Sequence, residues 1–388
     1  MKRIYLDYSA TTPLDPRVLE AMMPHFSGHF GNPSSVHAFG RESRAVLEES
    51  RDRIARFVGA KPEEVFFTSG GTEADNHAVR GVAHAARRRG KNHIVISAVE
   101  HHAVLHSAEA LHEDGLEVTS VPVDEHGAVD PDEIQKALRP TTCLVSVMHA
   151  NNEVGTLNSL KDIGAIAKER GVTLHSDTVQ SVGKIRVNVD ELGVDLLAIS
   201  AHKFYGPKGI GAIYIRKGTS VDALIQGGSQ ESNRRAGTEN VPLAVGFAKA
   251  VELCDLSVEM EIERVQKLRA KLRQRLEGEF EGILLNGHPT ESLPHILSVS
   301  FDSSRTTIDG EALIMGMDLQ GVAVTSGSAC TSGSLEPSHV LLAMGRDVKT
   351  ARATVRFSLG RWTTEEEISY AVDALHRVVS KMQGSTSA

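Results

Sequence analysis

The chain has 388 residues, 40% of them hydrophobic and 24% charged, with a formal net charge of −8. That length allows two domains or one large one, and the composition fits a globular protein with a sizeable core, which excludes disorder, collagen and coiled coil. The acidic balance argues against nucleic acid as a direct partner. No apolar run is long enough to cross a bilayer, and the start, Met1-Lys2-Arg3-Ile4-Tyr5-Leu6-Asp7, lacks the apolar centre of a secretory leader.

From about residue 16 to 255, short apolar strands alternate with amphipathic helices. The strands are predicted at Val65–Thr68, Ile94–Ser97, Val118–Val121, Leu144–Met148, Thr173–His175 and Leu196–Ile199. Most are unbroken apolar runs, as expected for a parallel sheet covered on both faces. Helices fall between them, at Arg41–Phe57 and at Leu160–Arg170, where Gly171 follows as a C-terminal cap. The expectation is a doubly wound α/β domain with a mostly parallel sheet.

Beyond Cys254 the texture changes. A charged helix is predicted from Glu259 to about Glu277, strands at Ile296–Phe301 and Ala353–Ser358, and helices at Glu311–Asp318 and Thr364–Val379. This is a smaller α+β domain, built from residues 256–388 together with 1–15.

The three cysteines, Cys143, Cys254 and Cys330, stand far apart, which suits neither a disulfide framework nor a zinc cluster and points to a reduced, cytoplasmic protein. The basic cluster Arg87-Arg88-Arg89 suits the negative end of a helix better than a binding patch.

Chemistry concentrates in four places. Thr68-Ser69-Gly70-Gly71-Thr72-Glu73-Ala74-Asp75-Asn76 joins a strand to a helix, where free amides, the helix dipole and the Thr72 hydroxyl can hold a phosphate. It is neither a Walker A loop nor a GxGxxG turn, which disfavours ATP and NAD. His175-Ser176-Asp177 and Ser200-Ala201-His202-Lys203 end two further strands, on the side where a parallel sheet binds ligands. A lysine there can form a Schiff base with an aldehyde cofactor, and an aspartate can keep a ring nitrogen protonated. With a phosphate loop upstream, the pair points to pyridoxal phosphate rather than a structural ion pair. Gly206, Gly209 and Gly211 would let the backbone turn beside it.

Glu100-His101-His102 offers a histidine after a strand end, suited to stacking on a flat ring or to acid/base work. His102 and His106 stand four apart, yet no third ligand accompanies them, so no metal is expected. Finally, Cys330 sits in Thr325-Ser326-Gly327-Ser328-Ala329-Cys330-Thr331-Ser332-Gly333-Ser334, a small polar segment without apolar neighbours. A thiol in that setting is a nucleophile candidate rather than a packed core cysteine.

Together these residues resemble a cysteine desulfurase of the NifS/IscS type, within the class V aminotransferases. The resemblance runs through Tyr5-Leu6-Asp7-Tyr8-Ser9-Ala10-Thr11-Thr12, Phe30-Gly31-Asn32-Pro33-Ser34-Ser35, Asn151-Asn152-Glu153-Val154-Gly155 and Arg356-Phe357-Ser358-Leu359-Gly360-Arg361. The Cys330 segment with Leu335-Glu336-Pro337-Ser338 is its most specific part. It implies a fold-type I pyridoxal-phosphate enzyme. Lys203 would link the cofactor and Asp177 pair with its ring nitrogen. Thr72, Ser200 and His202 would hold its phosphate, with Gly71 supplying backbone. His101 would stack on the ring, and Asn152 and Gln180 would bond its substituents.

Thr238 would reach the phosphate from a second subunit of a homodimer, and Asn32 and Arg356 would bind the substrate carboxylate. L-cysteine would become L-alanine, its sulfur passing to Cys330 as a persulfide and then to an acceptor protein, an iron–sulfur scaffold or a tRNA-thiolation enzyme. The chain lacks the longer C-terminal tail of the IscS branch, and Asp177-Thr178-Val179-Gln180 leans toward NifS. The rivals are a selenocysteine lyase or transaminase, which need no thiol at 330, and a non-catalytic sulfur-carrier scaffold, which has no need of Lys203 and Asp177.

Overall fold

The apolar runs become strands. The computed structural model describes residues 3–327 and 336–385. It contains β1 (Ile4–Tyr5), β2 (Val65–Thr68), β3 (His93–Ser97), β4 (Glu117–Val121), β5 (Thr142–Ser146), β6 (Thr173–Asp177), β7 (Leu196–Ser200), β8 (Gly211–Ile215), β9 (Ile283–Asn286), β10 (Ile296–Phe301), β11 (Val322–Ala323) and β12 (Thr354–Ser358). Seven strands form one sheet in the order β2-β8-β7-β6-β5-β3-β4. All pairings from β7 to β4 are parallel, and β8 runs antiparallel to both β2 and β7.

Residues of β3, β5 and β7 are buried throughout because successive side chains enter two different cores. Val95, Val145 and Leu197 join one core, and Ile94, Leu144 and Ala198 the other. Neither face meets water, so the polar/apolar alternation of a one-sided strand is missing.

A third core lies outside this sheet. Antiparallel β12-β10-β9 packs against the helices Val258–Glu279, Gly310–Leu319 and Glu365–Ser385, through Leu272, Val299, Leu313, Val355 and Leu375. Ile4 and Leu6 belong to this core, and β1 pairs in parallel with β11. The segment then runs on to Ser9, whose N–H donates to Ser358 Oγ at 2.9 Å.

Several expectations are corrected. The first long helix begins at Ala38 instead of Arg41, capped by the His37 ring. The strand expected at Leu144–Met148 is Thr142–Ser146, and β8 was unread because its start is glycine-rich. Gly211 opens that strand and makes no turn; a Cβ there would stand 2.4 Å from the Ile199 carbonyl oxygen. Arg88 does more than face a helix dipole, since both its terminal nitrogens donate to Asp222.

Candidate active site

Strand direction delivers the carboxyl ends of β2, β3, β5, β6 and β7 to one side of the sheet, β2 being aligned with β7 through the antiparallel β8 between them. After β2, the Gly71–Arg87 helix begins at Gly70 without a side-chain cap from any described residue. Ser69 N–H is taken by Glu73 Oε2 at 2.8 Å, while the next amides open the helix toward the cavity. Only glycine fits at 71, because a Cβ would stand 2.6 Å from Val179 Cγ2.

A cavity of about 150 Å³ gathers Gly71, Thr72, His101, Asn152, Asp177, Gln180, Ser200, His202 and Lys203, with Asp75, Met148 and Val179 completing its wall. Nine of the expected site residues thus converge from five separate stretches of chain. A larger cleft of about 730 Å³ opens among Lys91, Cys143, Thr173, Asp195 and Arg216 at the opposite ends of the strands. Two of its cations are engaged by the fold: Arg216 donates to the Val189 and Val194 carbonyls and Lys91 to that of Thr142. Chemistry, not size, selects the smaller cavity.

Lys203 follows β7 on a short 3-10 turn, and its Nζ donates to the carbonyls of Ser9 at 2.7 Å and Ala10 at 2.8 Å. Gln180 Nε2 donates to the same Ser9 oxygen at 2.9 Å. The N-terminal segment therefore braces two cavity side chains while being anchored in the third core.

Asp177 ends β6 almost fully buried and accepts the Val179 N–H at 2.8 Å. Burial pushes its carboxyl up, opposed by His101, that N–H and Lys203. His101 caps the His102–Ala110 helix, its Nδ1 accepting the Ala103 N–H at 3.1 Å, which leaves Nε2 to carry the neutral ring's proton. Burial lowers its pKa. His202 is pushed down to about 4, chiefly by burial and then by Lys203, so it stands neutral with Nδ1 3.0 Å from Thr11 Oγ1.

Other expected residues lie apart. Asn32 and Thr238 are exposed and do not line the cavity. Arg356 is buried beside it, donating to the Asn152 carbonyl and to Asp7 Oδ1, both at 2.8 Å. Cys330 lies outside the described residues. His102 and His106 stack at 4.9 Å, and the His339 ring stands 4.9 Å from that of His102. The sequence reading assigned no role to Asp75, although it lies against the site. Its position was legible, since Asp75 shares a helix face with the buried Ala78, Val79 and Val82.

The donor set fits pyridoxal phosphate. An uncapped helix start with Thr72, Ser200 and His202 around it suits a phosphate, a buried carboxylate suits a ring cation, and a primary amine lies in the same cavity. Asp75, His101 and Asp177 also bring ligand atoms within 4.8 Å of one another, but the amine and the phosphate cradle are unexplained by a metal.

The chain matches the family model Aminotransferase class-V over residues 4–371. It is 52% identical to "Cysteine desulfurase IscS" of Dictyoglomus turgidum over 99% of this chain and 96% of that one. The protein of the same name from Methanosarcina thermophila is 46% identical, over 98% and 93%. Among solved structures, a "NIFS-LIKE PROTEIN" superposes with a TM-score of 0.90 at 38% identity, over 98% of this chain and all of that one. The structure titled "SspA in complex with cysteine" gives a TM-score of 0.82 at 34% identity, over 93% and 100%.

Proposed function

This chain belongs to the class-V aminotransferase family, and we propose that within it the chain works as a pyridoxal-phosphate-dependent cysteine desulfurase. The observation that carries the reading is the convergence of Lys203, Asp177 and an uncapped helix start on one cavity, in a chain similar along nearly its whole length to proteins of that name. Pyridoxal phosphate, when bound, supplies an aldehyde that condenses with amines and a ring that accepts the electron pair left at Cα.

This chain's residues do the rest. With the cofactor bound, Lys203 Nζ would carry it and would take the Cα proton of the substrate. Asp177 would hold the proton on the ring nitrogen, and the Gly71 and Thr72 amides with Thr72, Ser200 and His202 would hold the phosphate. His101 would face the ring, and Asn152 and Gln180 would bond its substituents. Arg356 takes the substrate carboxylate with Asn32, its planar fork matching two oxygens. Cys330 thiolate would attack the substrate sulfur: the Cβ–S bond breaks, the Sγ–S bond forms, Cβ takes up the proton given up by the Cys330 thiol, and Lys203 returns its proton to Cα to give L-alanine.

The persulfide then passes to an acceptor protein of the cytoplasm. Among the described residues no helix is long and apolar enough to cross a membrane. Exposed Phe26, Phe30, Val36 and Phe39 support a homodimer, in which Thr238 reaches the partner's cofactor phosphate.

The test is single-turnover mixing with L-cysteine, comparing wild type with Cys330→Ala and quantifying alanine and protein-bound persulfide. Equal yields from wild type and neither product from a variant that keeps its cofactor support the reading. Alanine at the wild-type rate from Cys330→Ala would overturn Cys330 as nucleophile.

A further inference from the structure

Beside Asp177 on the cavity wall lies a second buried acid that the proposed mechanism does not use. Asp75, on the Gly71–Arg87 helix, is 1% exposed, and its Oδ1 stands 3.5 Å from His175 Nε2, which is fully buried. Neither atom has a hydrogen-bond partner among the described residues. On the far side of the ring, His175 Nδ1 lies 2.9 Å from Ser146 Oγ. The result is a line from the cavity wall into the sheet: Asp75, His175, Ser146.

We propose that Asp75 and His175 form a buried pair of zero net charge beside Asp177, which leaves Asp177 as the anion presented to the cofactor ring and makes Asp75 a positioning residue for it. The inference rests on the cofactor reading above and assigns this chain's own residues.

The surroundings demand neutrality. Asp75, Asp177 and His101 bring ligand atoms within 4.8 Å of one another, and Glu100 enters the same region from the loop after β3. Glu100 Oε1 accepts from Ser97 Oγ at 2.5 Å and from Met148 N–H at 2.8 Å, while Oε2 has no described partner. Three ionised carboxylates in this space would repel one another with only His101 and Lys203 to oppose them. Burial pushes Asp75 well up, reinforced by Asp177 and Glu100, and pushes Glu100 up to about 8. His175 is pushed down to about 3 by burial, so its ring is neutral. With Nδ1–H donating to Ser146, Nε2 accepts the Asp75 proton, which then points away from Asp177. A second anion here would overbind the ring proton; a void would admit water beside Asp177.

The test is a pH titration of the visible absorption band of the cofactor-loaded protein, with the dissociation constant for pyridoxal phosphate measured on the same variants. Asp75→Asn carries a neutral donor in the same place. It should keep the band's midpoint within about half a pH unit and the dissociation constant within about twofold of wild type. Asp75→Ala orphans His175 and should loosen the cofactor about tenfold. A midpoint displaced by more than about half a unit in Asp75→Asn would show that Asp75 carries charge, and the proposal falls. It falls equally if Asp75→Ala binds the cofactor as wild type does, or if Asp75→Asn fails to restore binding. Should Asp75→Ala not fold, the Asp75→Asn midpoint alone decides. A wild type that shows no band on adding pyridoxal phosphate refutes the cofactor reading instead.

Discussion

Arg356 Nη2 donates to Asp7 Oδ1 at 2.8 Å across 349 positions of sequence, and Arg356 is only 2% exposed. The guanidinium is buried, its Nε has no described partner, and Asp7 is its counter-charge. Burial pushes the Asp7 carboxyl up while Arg356 pulls it back down. Removing one side of such a pair leaves an uncompensated charge. Asp7→Ala should lower stability by about 3 kcal/mol, read by urea unfolding. It should also raise KM for cysteine about tenfold, because the fork that meets the substrate carboxylate loses its orientation.

Cys143 and Cys254 are buried, their Sγ atoms donating to the His93 and Gly183 carbonyls at 3.3 Å. Burial pushes both thiols up to about 11. Iodoacetamide at pH 8 should therefore spare both in the native protein, and mass spectrometry of the digest should find the label on Cys330. Replacing either buried cysteine with Ala should leave persulfide formation intact; its loss from a folded variant would move the nucleophile away from Cys330.

Glu100 sets a pH dependence whose sign follows from burial. Its folded pKa of about 8 lies above the ordinary 4.5, so the native state keeps a proton that the unfolded chain releases. Stability from this group is complete below pH 4.5 and is lost as pH rises toward 8. Wild type should lose on the order of 3 kcal/mol between pH 4.5 and 7 relative to Glu100→Gln. Parallel stability–pH curves from chemical denaturation would show that Glu100 ionises normally.

Gly71→Ala forces a methyl to 2.6 Å from Val179 Cγ2, two residues beyond Asp177. The helix start or the Val179 segment must move, and the phosphate amides move with it. Cofactor affinity should fall about tenfold, and the overpacked contact should lower stability by about 1–3 kcal/mol, as measured by absorbance titration and chemical unfolding.

Much of this was legible because two rules act together: apolar runs mark buried parallel strands, and ligands gather where such strands end. Asp177, Lys203 and Gly71 stand at those ends, and each was found by what its residue type does there. What escaped depends on the third dimension. Gly209-Ile210-Gly211 suggests a turn, but at Gly211 the missing side chain serves the close approach of β8 to Ile199. Asp75 stands on the apolar stripe with Ala78, Val79 and Val82, but what that stripe carries to the site shows only once its helix is laid against the sheet. Arg356 and Asp7 meet only when both ends of the chain are placed. Cys330 was singled out by its small polar neighbours and by the family resemblance, and it lies outside the described residues.

The bracing of Lys203 by Ser9 and Ala10 has a consequence for how the protein is made. Strand β1 pairs with Val322–Ala323, and Tyr8 and Ser9 hydrogen-bond Ser358. The segment at residues 4–9 therefore waits for residues 322–358 to be made before it can settle. The sheet that carries Lys203 is complete in sequence by Ile215, so it can fold while the segment that grips the lysine is still unplaced. Closing such a long loop is a slow, late event. Competence to hold cofactor should thus lag behind the appearance of secondary structure during refolding.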